Sequence, residues 1–149
     1  MSEATLTIPL TGILEAAVYC SDLDAAREFY GDALGLEEVV AVEDRHVFFR
    51  CGNTMVLVFN PDQTVKPPNN PAMPVPPHGA TGEGHICFTV PTAKMEEAAD
   101  ALRRKGIEIE ADFNWPNGAR SVYFRDPGGN SVEFSEARLW GFDEGLGNA

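Results

Sequence analysis

One order of apolar runs, turn signals and helical periodicity occurs twice along the chain, and this repetition limits the possible folds more than any other feature. Residues 13–20 (ILEAAVYC) are a short apolar run between turn signals, which predicts a strand. Ser21, with Asp24 three residues on, predicts a capped helix. Leu23, Ala26, Tyr30 and Leu34 give that helix one buried face, and Gly35 ends it. Strands are predicted at 36–42, 46–50 and 55–59, with turns at Glu43-Asp44 and Gly52-Asn53. The second half runs through the same order. A strand at 84–90 leads to a helix opened by Thr92, with Met95, Ala98, Ala99 and Leu102 on its buried face and Gly106 at its end. Strands follow at 107–113, 120–125 and 131–135, with turns at Asn117-Gly118 and Pro127-Gly128-Gly129. Local sequence matches too: Leu34-Gly35-Leu36-Glu37 corresponds to Lys105-Gly106-Ile107-Glu108, and Phe48-Phe49-Arg50 to Tyr123-Phe124-Arg125.

The expected fold is therefore α+β. Two tandem βαβββ modules, at 12–60 and 84–137, form a curved mixed sheet around a metal-binding cleft. A Pro- and Gly-rich loop at 61–83 joins them, and 1–11 and 138–149 are tails. A net charge of −12 repels phosphate backbones and anionic lipid, which disfavours nucleic-acid and membrane partners. Three cysteines, Cys20, Cys51 and Cys87, contain no CxxC pair, so a disulfide framework or zinc knuckle is not expected and a reducing cytoplasm is.

Side chains alternate along strands, so Glu15, Ala17 and Tyr19 share one face, and His85, Cys87 and Thr89 share the corresponding face of the second module. In the last strand, Val132 and Phe134 should pack on a helix while Ser131, Glu133 and Ser135 point the other way. A carboxylate set between core residues must be solvated, paired or bound to a cation. Glu15 poses the same problem, so Glu15, His85 and Glu133 form a candidate ligand set. Pairing of Glu133 with Arg120 or Arg125 is the competing explanation. Cys87 reads as a small apolar filler, Tyr19 as reaching either the cleft or the core, and His46 as a surface residue. His78, in the Pro-rich loop, is either solvent-exposed or a mobile acid/base. Trp115 and Trp140 suit a pocket lip or a subunit contact.

The stretches ILEAAVYC, SDLDAAREFYGDALGLE, GEGHICFTV and SVYFRDPGGNSVEF, spread over residues 12–140, resemble the vicinal oxygen chelate superfamily. That superfamily includes glyoxalase I, extradiol dioxygenases, fosfomycin-resistance enzymes and bleomycin-resistance proteins. The resemblance implies metal ligands on the first and last strands of each half, which fall here on Glu15, His85 and Glu133. The fourth position falls on Val56 or Val58, neither of which can ligate. One imidazole and two carboxylates suit one divalent ion such as Fe, Mn, Zn or Ni, with open positions left for substrate.

The expected activity is a metal-dependent, glyoxalase-like lyase or isomerase on a small substrate that chelates through adjacent oxygens. Glu15 or Glu133 would also serve as the catalytic base. The rivals are an extradiol dioxygenase using Fe or Mn and a metal-free, drug-sequestering binding protein. A homodimer is expected, with the site completed within one chain or across two. No Walker loop, GxSxG or HExxH is present, so nucleotide and serine-hydrolase chemistry have no support.

Overall fold

The computed structural model describes residues 7–147; the outermost ends of the two expected tails lie outside it. Strand β1 (Glu15–Tyr19) leads into a helix that begins as α-helix (α1, Leu23–Ala26) and widens to π-helix (Arg27–Ala33). Strands β2 (Glu37–Val42), β3 (His46–Cys51) and β4 (Thr54–Phe59) follow. After a loop containing a short helix α2 (Pro61–Thr64), the order returns. It runs through β5 (His85–Thr89), a 3-10 turn (Thr92–Lys94), α3 (Met95–Arg104), β6 (Ala111–Asn114), β7 (Arg120–Arg125) and β8 (Ser131–Ser135). The sheets are ordered β1-β4-β3-β2 and β5-β8-β7-β6, and in each the first strand pairs in parallel with the last. The two expected βαβββ modules are thus present.

Several local expectations are corrected. The first helix is capped by Asp22, not Ser21: its carboxylate accepts the Ala25 N–H at 3.0 Å. The π turn carries bonds such as Leu34 N–H to the Phe29 carbonyl (2.9 Å), and Phe29 joins Ala26 and Tyr30 in the core while Leu23 and Leu34 are only partly buried. Thr92 does not cap α3; it opens the 3-10 turn, and its N–H is taken by the Glu144 carboxylate. β6 begins at Ala111, since Ile107 and Ile109 pack against the core before the ladder starts. Gly35 and Gly106, at φ 80° and 75°, stop the two helices at corresponding places, which a residue with Cβ resists.

The helix-bearing faces of both sheets share one core, in which Tyr30, Phe49, Phe124 and Val132 are fully buried. Each such side chain contributes about 1.5–3 kcal/mol by leaving water. The modules also meet through polar groups: Tyr30 donates to Asp126 (2.6 Å), and the Asn130 amide donates to the Tyr19 carbonyl (3.1 Å).

Arg120 on β7 donates to both Asp112 oxygens (2.8 and 2.7 Å) and to Glu96 (2.6 Å), tying the edge strand β6 and helix α3 to β7. These bonds from the guanidinium hold the Asp112 carboxyl below the usual range. Because its folded value is depressed, the stabilisation is full above the unfolded value near ~4 and is lost as pH falls through the folded one. Thermal midpoints should be level from neutral pH to about 5 and then decline, and Asp112→Asn should shrink the decline. An unchanged acid profile in that variant would remove Asp112 from the account.

Candidate functional site

On the second sheet the face turned away from the helix is a grid set by strand register. His85, Ser131 and Arg125 form one row; Cys87, Glu133 and Tyr123 the next; Thr89, Ser135 and Ser121 the third. Val132 is fully buried on the helix side and Phe134 packs against the core, as their alternation with Glu133 requires. Glu133 itself is only 5% exposed. Its Oε2 accepts from the Ser121 hydroxyl, which in turn accepts the Trp115 indole N–H at 2.8 Å.

The other oxygen, Oε1, stands 3.3 Å from His85 Nε2. His85 Nδ1 lies 3.0 Å from the Ser131 carbonyl. A carbonyl only accepts, so Nδ1 carries the hydrogen, and in a neutral ring Nε2 then presents a lone pair toward the carboxylate. Two acceptors facing each other need a proton or a metal cation between them. No guanidinium fills that role. Arg120 is committed to Asp112 and Glu96, and Arg125 to Glu110, Glu83 and the Gly129 carbonyl, so the alternative pairing of Glu133 with either arginine is not what the structure shows.

Tyr123 lies across the ladder from Glu133, and its ring stacks with His85 (6.3 Å between centroids) and Phe113 (5.9 Å). Desolvation, then the Glu133 charge, pushes its hydroxyl up, so it stays a phenol. The same two causes push the Cys87 thiol up to about 12, which removes it as a thiolate nucleophile. Ser121 and Tyr123 are the site neighbours that sequence reasoning missed; Trp115, read as a pocket lip or a subunit contact, stands behind Ser121. Alternation along β7 places Ser121 and Tyr123 on the Glu133 face and was the signal available.

The first sheet carries a matching grid: Glu15, Met55 and Arg50; Ala17, Leu57 and Phe48; Tyr19, Phe59 and His46. The residue in the place of Glu133 is Leu57. Val56 and Val58, expected at that position, are buried in the core instead, because a shift of one residue changes the face. Leucine cannot ligate either, so this position still supplies no metal donor. Glu15 is exposed and makes no ion pair among the described residues. Tyr19 is half-buried on the open face, and His78 is half-buried against it rather than free in solvent, with 2.7 Å between Tyr19 Oη and His78 Nδ1. His46 is not a plain surface residue: it stacks on Phe48 at 4.1 Å, and its Nδ1 is buried without a partner.

The structure therefore brings His85 and Glu133 together and leaves Glu15 apart from them. The open faces lie outside the shared core, and among the described residues no three His, Cys, Asp or Glu side chains form a metal-holding group. Two surface hollows, about 650 Å³ along Asp22, Glu43 and His46 and about 290 Å³ between Leu34, Phe88 and Leu102, include none of Glu15, His85 and Glu133.

A sequence model of the Glyoxalase/Bleomycin resistance protein/Dioxygenase superfamily matches residues 12–134. A crystal structure of lactoylglutathione lyase from Agrobacterium tumefaciens is 45% identical, covers 91% of this chain and 100% of its own, and superposes with a TM-score of 0.83. A glyoxalase/dioxygenase structure from Nostoc punctiforme, at 23% identity, 90% and 97% coverage and TM-score 0.64, shares the fold. The YwkD protein of Bacillus subtilis (strain 168) is 28% identical over 134 residues, which span 85% of this chain and 98% of that protein. No helix among the described residues is long and apolar enough to cross a membrane.

Proposed function

The chain belongs to the glyoxalase/bleomycin resistance protein/dioxygenase superfamily, and from that premise we propose that it is a metal-dependent lyase or isomerase whose small substrate offers two adjacent oxygens. The observation that carries the reading is the His85 Nε2 to Glu133 Oε1 approach of 3.3 Å, with Nδ1 committed to a backbone carbonyl. A histidine that binds metal through one nitrogen and anchors the other in this way is the usual arrangement. Nitrogen and oxygen donors each about 2.1 Å from one ion stand roughly 3.0–3.4 Å apart, so the spacing fits a shared divalent cation. The donor set, one imidazole with carboxylates, suits Fe, Mn, Zn or Ni.

The third donor is Glu15, and we assign it to the partner subunit of a homodimer. In one chain the two open faces lie outside a common core, and pairing of two chains would let the open face of one module oppose that of the other. The exposed valines of edge strand β2, Val39, Val40 and Val42, suit such a contact. When bound, the cation polarises the substrate's adjacent oxygens as a Lewis acid. With that cation in place, Glu133 or Glu15 would take the proton from the hydroxyl-bearing carbon and return it to the adjacent carbonyl carbon, while the hydroxyl proton passes to the former carbonyl oxygen. Ser121 and Trp115 hold the Glu133 carboxylate in place. The similarity to a lactoylglutathione lyase favours an α-hydroxyacyl product of this kind.

The test has two arms. Protein loaded with Zn²⁺ or Ni²⁺ should isomerise the hemithioacetal of methylglyoxal and glutathione. Oxygen uptake with catechols instead would make it a dioxygenase, and failure to bind any divalent metal would leave a binding protein. Glu15→Gln and Glu133→Gln, each inactive alone, should regain activity when unfolded and refolded together. A mixed dimer then holds one intact site of its two, whereas sites within single chains would regain nothing.

A further inference from the structure

The open face of the first module is graded along the strand direction, and nothing in the metal site explains the far end of it. The row of Glu15, Met55 and Arg50 is polar at both edges; the next, Ala17, Leu57 and Phe48, is apolar; the last, Tyr19, Phe59 and His46, is aromatic with polar tips. The loop after β4 returns to cover this last row. The His78 backbone N–H donates to the Thr64 carbonyl (2.9 Å), its ring stands edge-on to Phe59 (4.6 Å between centroids), and its Nδ1 lies 2.7 Å from Tyr19 Oη.

Donor counting shows what this pair offers. Tyr19 carries one O–H and a neutral imidazole one N–H. A single hydrogen bond joins the two groups, so one of the two hydrogens remains uncommitted whichever tautomer is present. Both residues are half-buried at the edge of this row, and among the described residues neither Tyr19 Oη nor His78 Nε2 has a further hydrogen-bond partner. Glu15 and Tyr19 lie four residues apart on one strand, about 13 Å between their Cα atoms, and their side chains rise from the same face.

We propose that the Tyr19–His78 pair is a specificity-determining subsite that donates a hydrogen bond to the distal end of the substrate. The proposal rests on the metal being held beside Glu15. The substrate class is then a chain roughly 10 Å long. It has an oxygen-chelating head, a flat apolar middle lying over Ala17, Leu57 and Phe48, and a carbonyl or carboxyl oxygen at its tail. Tyr19 and His78 act on binding, not on the reacting atoms.

Hydroxamates chelate metals through two adjacent oxygens and are not turned over, so they separate head from tail. Three probes are titrated into Zn²⁺-loaded protein: benzohydroxamate, its para-acetyl derivative, and its para-isopropyl derivative, which has the acetyl shape without the acceptor. The para-acetyl probe should bind roughly 5- to 10-fold tighter than the para-isopropyl one, the range of one hydrogen bond. Tyr19→Phe combined with His78→Phe should abolish that preference. Each single change leaves one hydrogen in place and should only reduce it. Equal affinities in the unmodified protein, or a preference that survives in the double variant, would overturn the subsite. If no hydroxamate binds while Zn²⁺ does, the metal position fails with it. That outcome is distinct from benzohydroxamate binding without any effect of the tail.

Discussion

Asp126→Ala should destabilise the protein by about 3–5 kcal/mol, the range for removing one member of a buried charged network. The carboxylate is 6% exposed and accepts four hydrogen bonds: from Tyr30 Oη (2.6 Å), from the Asn130 amide (2.9 Å), and from the backbone N–H groups of Gly128 and Asn130 (2.9 Å each). Burial first, then the Asp126 charge, raises the Tyr30 hydroxyl well above its ordinary value, so it remains a donor throughout the physiological range. Alanine would strand that donor in a site with no access to water, since Tyr30 is fully buried. The turn also seats one module on the other. A Cβ at Gly128 would stand 2.8 Å from the Tyr19 carbonyl oxygen, so the turn approaches the end of β1 as closely as only glycine allows. At about two to four degrees per kcal/mol, the thermal midpoint should fall by roughly 6–20 °C. Tyr30→Phe, which removes one of the four donors and leaves three, should cost about 1.5–3 kcal/mol. Urea titration of both variants measures the difference. A loss under ~1 kcal/mol for Asp126→Ala would mean that the apolar core alone joins the modules.

This junction shows where sequence reading stops. Asp126-Pro127-Gly128-Gly129-Asn130 reads as a turn, because its residues favour one locally. Its bond to Tyr30 spans 96 positions, and no local pattern encodes it. The duplicated βαβββ order was legible because alternation, helical spacing and glycine stops are local signals, and they place β3, β4, β7 and β8 within one residue at each end. The facing of His85 and Glu133 followed from the same alternation. The identity of the fourth position did not. The length of the Cys51–Thr54 turn leaves the register ambiguous by one residue, and one residue exchanges Leu57 on the open face for valines in the core. Nor could the sequence say that both helix faces would share a single core, which sets Glu15 apart from the other two candidate ligands. How modules stack is decided by the fit of side chains such as Tyr30 and Phe124, not by any segment alone. The Tyr19–His78 contact was hidden for a related reason: a loop rich in proline and glycine gives no periodicity from which to judge where its one histidine lands.

Glu133→Gln should separate a metal ligand from a structural residue, because the two roles move stability in opposite directions. A buried carboxylate with no guanidinium beside it is costly, and neutralising it relieves that cost. Metal-free protein carrying glutamine should therefore melt at the same temperature as the parent or higher. The amide oxygen can still accept from Ser121, so the local bonding survives the change. Metal affinity should fall at least 10- to 100-fold. Losing a mere outer-shell partner costs that much, and here a charged donor itself is replaced. Saturating Zn²⁺ stabilises the parent by an amount that grows with the logarithm of metal concentration over Kd, so its melting temperature should climb with added metal while that of the variant stays nearly level. Isomerase turnover should drop to roughly 1% or less, in line with the loss of a base that contributes 10²–10⁴-fold. Calorimetry with and without Zn²⁺ reads all but the last of these. A variant that melts lower without metal yet shifts as far with it would make Glu133 a packing residue, and the metal would have to be sought elsewhere on the two open faces.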